Sequence, residues 1–410
     1  MDRKLKYIDI LVFLYVFSLC FMRVGMKVFL YTFTLADAIL ILIFIRYALI
    51  KFNQFQLDSI PRRLIGFYLI FLTTLFISFL GIKDLKAGLV EMIAFLYNLG
   101  VVALFSLYLT ERKGFGIQIL FYSFFISLIS MILGSFLVLS HLDIKDIILF
   151  NHVKYIFFLK FPNQMALWCI ICFCAYILGK EYLENKKGWL GIFNFIIPAL
   201  FFLAITMSGS RLGALVAFVL VIFSLYLEIK KLRWVYRIVY IVIPVLLFSF
   251  FVVFINRQQN VQTEIFYRAL RIFKDAGKGS FIGGDVREQN FKDALTAFQT
   301  KPVNGVGLGN AWKYYSQWEI HSTLLSVLAE TGIIGIMGFL LLMGYPYYYI
   351  LRYDRKIKYF ILYSSLILFS MGHYILRQRW FWLFIVYLLY YMVLEKKKEK
   401  PVRSLPEEDG

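Results

Sequence analysis

The sequence predicts an all-α polytopic membrane protein with about 12 transmembrane helices and one large outer loop containing short helices. Three observations predict it. Hydrophobic residues make up 61% of the 410 residues, well above the roughly 45–50% apolar content of a soluble domain. Apolar stretches of about 17–25 residues recur along the whole length, and each is long enough to cross a hydrocarbon core of about 30 Å as a helix. Basic residues are concentrated in alternate connections, which is the positive-inside pattern.

The expected spans are 7–25, 29–50, 64–82, 87–109, 115–140, 162–179, 189–207, 212–229, 235–255, 321–349, 357–375 and 380–394. The first follows a basic start, Met1-Asp2-Arg3-Lys4, and has the look of a signal peptide. No small-residue cleavage site follows it and a second span comes almost at once, so it is expected to stay as the first helix. Residues 1–255 therefore hold helices 1–9, 256–320 form the large outer loop, and 321–394 hold helices 10–12. Residues 395–410 form a charged, Pro-containing tail with no apolar face to bury, expected to be disordered and cytoplasmic.

A formal net charge of +19 would suggest nucleic acid in a soluble chain. Here the positive residues cluster in alternate connections and the span ends beside them: Arg46, Lys51, Arg62 and Arg63; Arg112 and Lys113; Lys180, Lys186 and Lys187; Lys230, Lys231, Arg233 and Arg237; Arg352, Arg355, Lys356 and Lys358. That distribution points to membrane lipids as the partner and away from nucleic acid, places both termini in the cytoplasm, and leaves 256–320 outside. The four cysteines, Cys20, Cys169, Cys172 and Cys174, all fall within expected spans. Lipid-like neighbours surround the Cys169-x-x-Cys172 pair and no His or carboxylate is near, so these read as small packing residues. No internal repeat supports an inverted-repeat transporter.

The outer loop has its own pattern. Ile265, Phe266, Ala269, Leu270 and Phe273 recur at helical spacing opposite Arg268, Arg271 and Lys274, as in a helix lying on a membrane surface. After a flexible Gly277–Gly284 turn, Asp285 and Glu288 read as an N-cap and capping-box partner of a second helix ending near Lys301-Pro302. The run Gly305-Val306-Gly307-Leu308-Gly309 lacks the βαβ context of a nucleotide-binding loop and reads as a tight connection.

Polar residues retained near spans despite their cost are the candidates for chemistry. Ser208-Gly209-Ser210-Arg211 opens the eighth span: either serine can cap the helix, whose N-terminus is an anion site that Arg211 would strengthen. The alternative is an arginine snorkelling to lipid headgroups, although the outer side disfavours such a charge. Arg287 sits in the first turn of the second loop helix, where it opposes the helix dipole; a bound anion explains that placement, and so does a solvated surface arginine. His321 re-enters the membrane. On a continuous helix Gly332 lies about 20° and Gly335 about 40° from it, on one face open to a neighbouring helix. Glu330 points to the opposite side. His321 is either structural or a general base at the membrane surface. His141, His152 and His373 show no metal-ligand spacing, so no metal is expected.

The pattern His321-Ser322, nine residues, then Gly332-Ile333-Ile334-Gly335 resembles the signature of the O-antigen ligase family, within the wider O-antigen ligase and polymerase superfamily. Ser208–Arg211, Pro162-Asn163, and Arg287 with the Pro302–Gly307 run resemble further motifs of that superfamily. The resemblance implies a GT-C-like membrane glycosyltransferase that takes a glycan from undecaprenyl pyrophosphate at the outer face of the bacterial inner membrane. A ligase of this kind passes it to lipid A-core, and a polymerase joins it to another repeat unit. The resemblance further implies that Arg211 and Arg287 hold the donor pyrophosphate, His321 orients or deprotonates the acceptor hydroxyl, and Asn163, Ser208, Ser210 and Ser322 contribute to substrate binding. Gly332 and Gly335 are structural members of the motif. No metal or nucleotide cofactor is implied. The rival from a different class is a lipid or polysaccharide transporter or flippase, which would line a path with charges deep in its spans; Asp37 and Glu91 are the clearest candidates for such charges.

Overall fold

The computed structural model describes residues 5–22, 25–28, 31–51, 58–139, 149–150, 154–155, 157–159, 161–184, 190–230, 284–311, 322–354 and 356–399. The expected ninth span, the loop helix over Val261–Lys274, the turn preceding Gly284, and His321 lie outside the described residues.

Among the described residues the regular structure is helical apart from two short hairpins. Helices α1 (Tyr7–Ser18), α2 (Leu35–Lys51), α3 (Ser59–Ile77) and α4 (Leu85–Leu139) come first. They are followed by α5 (Pro162–Gly179), a short α6 (Glu181–Glu184), α7 (Leu190–Met207) and α8 (Arg211–Ile229). The last four are α9 (Gly284–Thr300), α10 (Thr323–Tyr349), α11 (Ile357–Ser370) and α12 (Arg379–Glu399). Among the described residues, five helices are long and apolar enough to cross a membrane by length and composition: Pro61–Leu80, Leu85–Ser135, Pro162–Gly179, Arg211–Ile229 and Thr323–Arg352. Shorter apolar helices occupy Tyr7–Phe21, Ile196–Met207 and Ile357–Ser370.

Several boundaries follow from local chemistry. Pro162 opens α5, where its fixed φ suits the first turn and its missing N–H costs nothing. The expected span 29–50 is shortened. Strands β1 (Gly25–Val28) and β2 (Tyr31–Thr34) pair antiparallel, and α2 starts only at Leu35. Thr34 fixes that start: its N–H and its hydroxyl both donate to Asp37 Oδ2 at 2.7 Å, as in a capping box. The expected spans 87–109 and 115–140 form one continuous run of helix, α4, broken at Lys113 (φ 46, ψ −126). A Cβ on Gly116 would lie 3.2 Å from side-chain atoms of both Tyr108 and Leu109. Residues eight apart on a straight helix are separated by about 12 Å along its axis, so the chain doubles back at Lys113 and α4 is two antiparallel helices. At the C-terminal end α12 continues to Glu399, past the expected span end at 394 and into the expected disordered tail.

Helix α5 is the hub. Every residue from Met165 to Gly179 is buried, because α4, α7, α8, α11 and α12 surround it. A helix enclosed on all sides has no polar face to keep, which is why its sequence is apolar all round. Its cysteines pack there as free thiols with Cys20, and the Trp168 indole N–H donates to Cys20 Sγ at 3.1 Å.

Three buried ion pairs sit near helix ends. At one end of the bundle Arg112 binds Asp9, which also accepts from Tyr108, while Lys180 pairs with Glu228. At the other end Arg379 meets Asp37 at 2.5 Å. Paired in this way, a charge keeps hydrogen-bonding partners after leaving water. Asp37 and Glu91, the in-span carboxylates singled out above, both contact arginines at the start of α12 or just before it.

Candidate functional site at the gathered helix starts

The starts of α2, α4, α5, α8, α10 and α12 gather at the Asp37–Arg379 end, and three of the sequence motifs meet there. The turn into α8 is built by its own serines. Ser208 Oγ donates to the Ile205 carbonyl at 2.6 Å and accepts from the Ser210 N–H at 3.3 Å. Gly209, at φ 69, allows the sharp bend between them. Ser210 is the N-cap of α8, its hydroxyl accepting from the Gly213 N–H at 3.2 Å. Both serines are buried and occupied with the turn, which delivers Arg211, half-buried, as the first residue of α8. The cap expected from sequence is the one Ser210 makes, and the turn that both serines build positions Arg211.

Helix α5 starts beside this turn. A Cβ on Gly213 would lie 3.0 Å from the Ala166 Cβ, so glycine lets the first turn of α8 approach that of α5. Asn163, half-buried, is on that first turn of α5. The α11–α12 connection closes the third side. A Cβ on Gly372 would meet Leu212 Cδ2 at 2.7 Å, and Thr323 Oγ1 donates to the His373 carbonyl at 2.7 Å while accepting from the Ile375 N–H at 3.1 Å. Thus Leu212, next to Arg211, and Thr323, next to Ser322, are held by one short turn. Ser322 is the N-cap of α10, accepting from the Leu325 N–H at 3.4 Å.

The structure corrects the reading of the glycine motif. Helix α10 begins at Thr323 after its N-cap Ser322, and Gly332 breaks it with φ 63 and ψ −158. The break at Gly332 interrupts the continuous helix on which Gly332 and Gly335 were expected to share a face; His321 itself lies outside the described residues. What fills the break is the 302–307 segment. Ile333 N–H donates to the Pro302 carbonyl at 2.9 Å and Ile334 N–H to that of Val303 at 3.3 Å. In return the carbonyls of Ala329 and Glu330 accept from Val306 and Gly307 N–H, each at 3.0 Å. Helix ends exposed by a mid-helix break need partners, and this loop supplies them on both sides. A Cβ at Gly332 would lie 2.5 Å from the Val303 carbonyl oxygen. At Gly335 it would overlap the side chain of Thr331, one turn back on its own helix. The two glycines therefore admit a loop and a side chain, where sequence anticipated a second helix.

Arg287 lies in the first turn of α9, as expected, with the helix beginning at Gly284; its side chain is outside the described residues. Helix α9 packs through Ala294 and Ala297 onto Ala329, Val306 and Leu325, that is, onto the short first half of α10 and the loop that plugs its break. The Arg287 helix, the 302–307 segment and the helix after His321-Ser322 therefore form one unit.

Sequence reasoning missed two arginines at this end. Arg379 is buried against Asp37, with its guanidinium 4.6 Å from the Tyr97 ring and Nη1 donating to the Tyr97 hydroxyl at 2.9 Å. Arg377 meets Glu91 at 2.5 Å and lies 4.6 Å over the Tyr374 ring. Their position just before an expected span start, on the side expected to face outward, was the available signal, since arginine is disfavoured there.

These features define a polytopic helical membrane protein with a small polar site at one end, built from helix starts and a re-entering loop. Residues 196–340 match the family model for O-antigen ligase. The resemblance to that family holds over this segment, which contains the Ser208–Arg211 turn, Arg287, Ser322 and the plugged helix break. It supports an enzyme of the glycan ligase or polymerase type that works on lipid-linked glycans. No curated protein matches the chain.

Proposed function

We propose that this protein is a metal-independent, GT-C-like membrane glycosyltransferase. It moves a glycan from undecaprenyl pyrophosphate to lipid A-core at the outer face of the bacterial inner membrane, with about 12 spans and both termini cytoplasmic. The observation that carries the proposal is the family match over 196–340, which includes both Arg211 and the start of α10. Those two helix starts are tied to one turn through Leu212–Gly372 and Thr323–His373.

The chemistry needs three things. As the glycosidic bond to pyrophosphate breaks, the leaving oxygens take the electron pair, and fixed cations at a poorly hydrated site stabilise that charge. Arg211, at the capped start of α8, and Arg287, on the helix docked to α10, supply them. The acceptor hydroxyl oxygen forms the new bond to the anomeric carbon and gives its proton to His321, a step worth about 10²–10⁴-fold. Asn163 and Ser322 lie on neighbouring helix starts, where they would contact the glycan. The positive-inside distribution of the basic residues supports an outward-facing site.

Polymerisation is the same reaction with a second lipid-linked repeat as acceptor, and the product distinguishes the two. Purified protein is incubated with undecaprenyl-pyrophosphate glycan, with and without lipid A-core. Transfer to lipid A-core alone supports the ligase. Chain growth without it identifies a polymerase, and no glycosidic product under either condition refutes the glycosyltransferase.

A further inference from the structure

The α11–α12 turn carries two arginines in different settings. Arg379 is almost fully buried, its side chain 5% exposed, and with Asp37 and Tyr97 it anchors the start of α12. Other bonds hold the same turn. Asn98 Nδ2 and the Trp382 indole N–H both donate to the Leu376 carbonyl, at 3.0 and 2.8 Å, and Thr323 holds His373 and Ile375. Anchoring is thus well supplied without Arg377. Arg377 nevertheless stands there with its side chain 31% exposed, at the end read as outward-facing, where the positive-inside tendency disfavours arginine.

Its geometry is that of a cation held ready. Glu91 meets Nε at 2.5 Å and the Tyr374 ring lies beneath the guanidinium at 4.6 Å. Stacking on the Tyr374 ring lowers the entropy lost when the group engages a ligand, while the Glu91 carboxylate is the anion a ligand would compete with. Glu91 is itself seated on the loop that plugs α10: a Cβ on Gly309 would lie 2.8 Å from Glu91 Cγ. Arg377 therefore belongs to a turn bonded to the helix that follows His321-Ser322, packed on the residue after Arg211, and facing the loop that docks the Arg287 helix.

We propose that Arg377 is a third cation of the donor site, contacting the pyrophosphate of the polyprenyl-linked glycan. The assignment rests on the glycosyltransferase reading and extends it to a residue outside the 196–340 segment. Phosphoryl oxygens at this surface could also come from ordinary anionic lipid headgroups, and the experiment separates the two sources.

Wild type, Arg377→Gln, Arg377→Lys and Glu91→Gln are placed in phosphatidylcholine nanodiscs, and binding of undecaprenyl pyrophosphate without glycan is measured; a parallel series measures phosphatidylglycerol. Loss of one charge-assisted contact is expected to weaken pyrophosphate binding about tenfold or more in Arg377→Gln. Arg377→Lys should lose several-fold, and Glu91→Gln should bind at least as tightly as wild type because it removes a competing anion. Phosphatidylglycerol binding should not change. Equal weakening in Glu91→Gln and Arg377→Gln, with no further loss in the double variant, would reveal a structural pair and overturn the assignment. So would an effect confined to phosphatidylglycerol, unaltered binding in Arg377→Gln, or a wild type that does not bind undecaprenyl pyrophosphate. If Arg377→Gln fails to fold, the Arg377→Lys and Glu91→Gln comparison decides in the same way. A wild type that binds the lipid through Arg377 but never transfers glycan would defeat the glycosyltransferase reading and leave this assignment standing.

Discussion

Replacing Gly332 by alanine should undo the plugged helix break, and its cost can be built from the structure. At φ 63 and ψ −158 the residue occupies backbone space that is essentially reserved for glycine, so any side chain adds about 1–3 kcal/mol of strain. The new Cβ would also lie 2.5 Å from the Val303 oxygen and 2.7 Å from the Gly305 nitrogen, forcing the 302–307 segment outward. The Ile333–Pro302 and Val306–Ala329 hydrogen bonds would go with it, at about 1 kcal/mol each. The expected total is about 3–5 kcal/mol. Gly344, on the same helix, is the control: a Cβ there meets nothing within 4 Å, and alanine should stabilise by up to about 1 kcal/mol through helix propensity. Thermal unfolding of the purified protein, with hydrogen exchange read at the Ile333 and Val306 amides, compares the two. A Gly332→Ala variant that melts with wild type and keeps both amides protected would refute the plug.

Two further substitutions test the site end. Asp37→Asn removes the charge facing buried Arg379 and should cost about 3–5 kcal/mol, seen as a lowered melting temperature; a shift no larger than that of a surface Asp→Asn change would contradict the anchor. Arg211→Lys and Arg287→Lys should each weaken donor binding, because a point charge replaces a two-pronged contact poorly. Unchanged affinity in both variants would remove them from the donor site.

What could be read from sequence was what local chemistry dictates. Pro162 and the run behind it gave α5 its limits, Ser210 gave α8 its start, and Asp285 with Glu288 placed the Arg287 helix to within a residue. Illegible features depended on distant parts of the chain. A helical wheel carries His321 smoothly to Gly335 because nothing local says that Gly332 turns positive in φ; the cause is a loop some thirty positions earlier whose amides and carbonyls complete the broken ends. Apolar content alone extended the second span over Tyr31–Thr34, where pairing with Gly25–Val28 takes those residues into a hairpin. Arg377 and Arg379 escaped notice because their partners, Glu91 and Asp37, lie at the other end of the sequence.

The central claim is glycan transfer at the place where the starts of α8 and α10 meet. It is tested most directly by comparing wild type with His321→Ala in reconstituted membranes that contain undecaprenyl-pyrophosphate glycan and lipid A-core. The account predicts a glycosylated acceptor and an equal amount of released undecaprenyl pyrophosphate from wild type. It predicts neither from the variant, although the variant inserts, folds and binds the donor. Near-normal transfer by His321→Ala would contradict it.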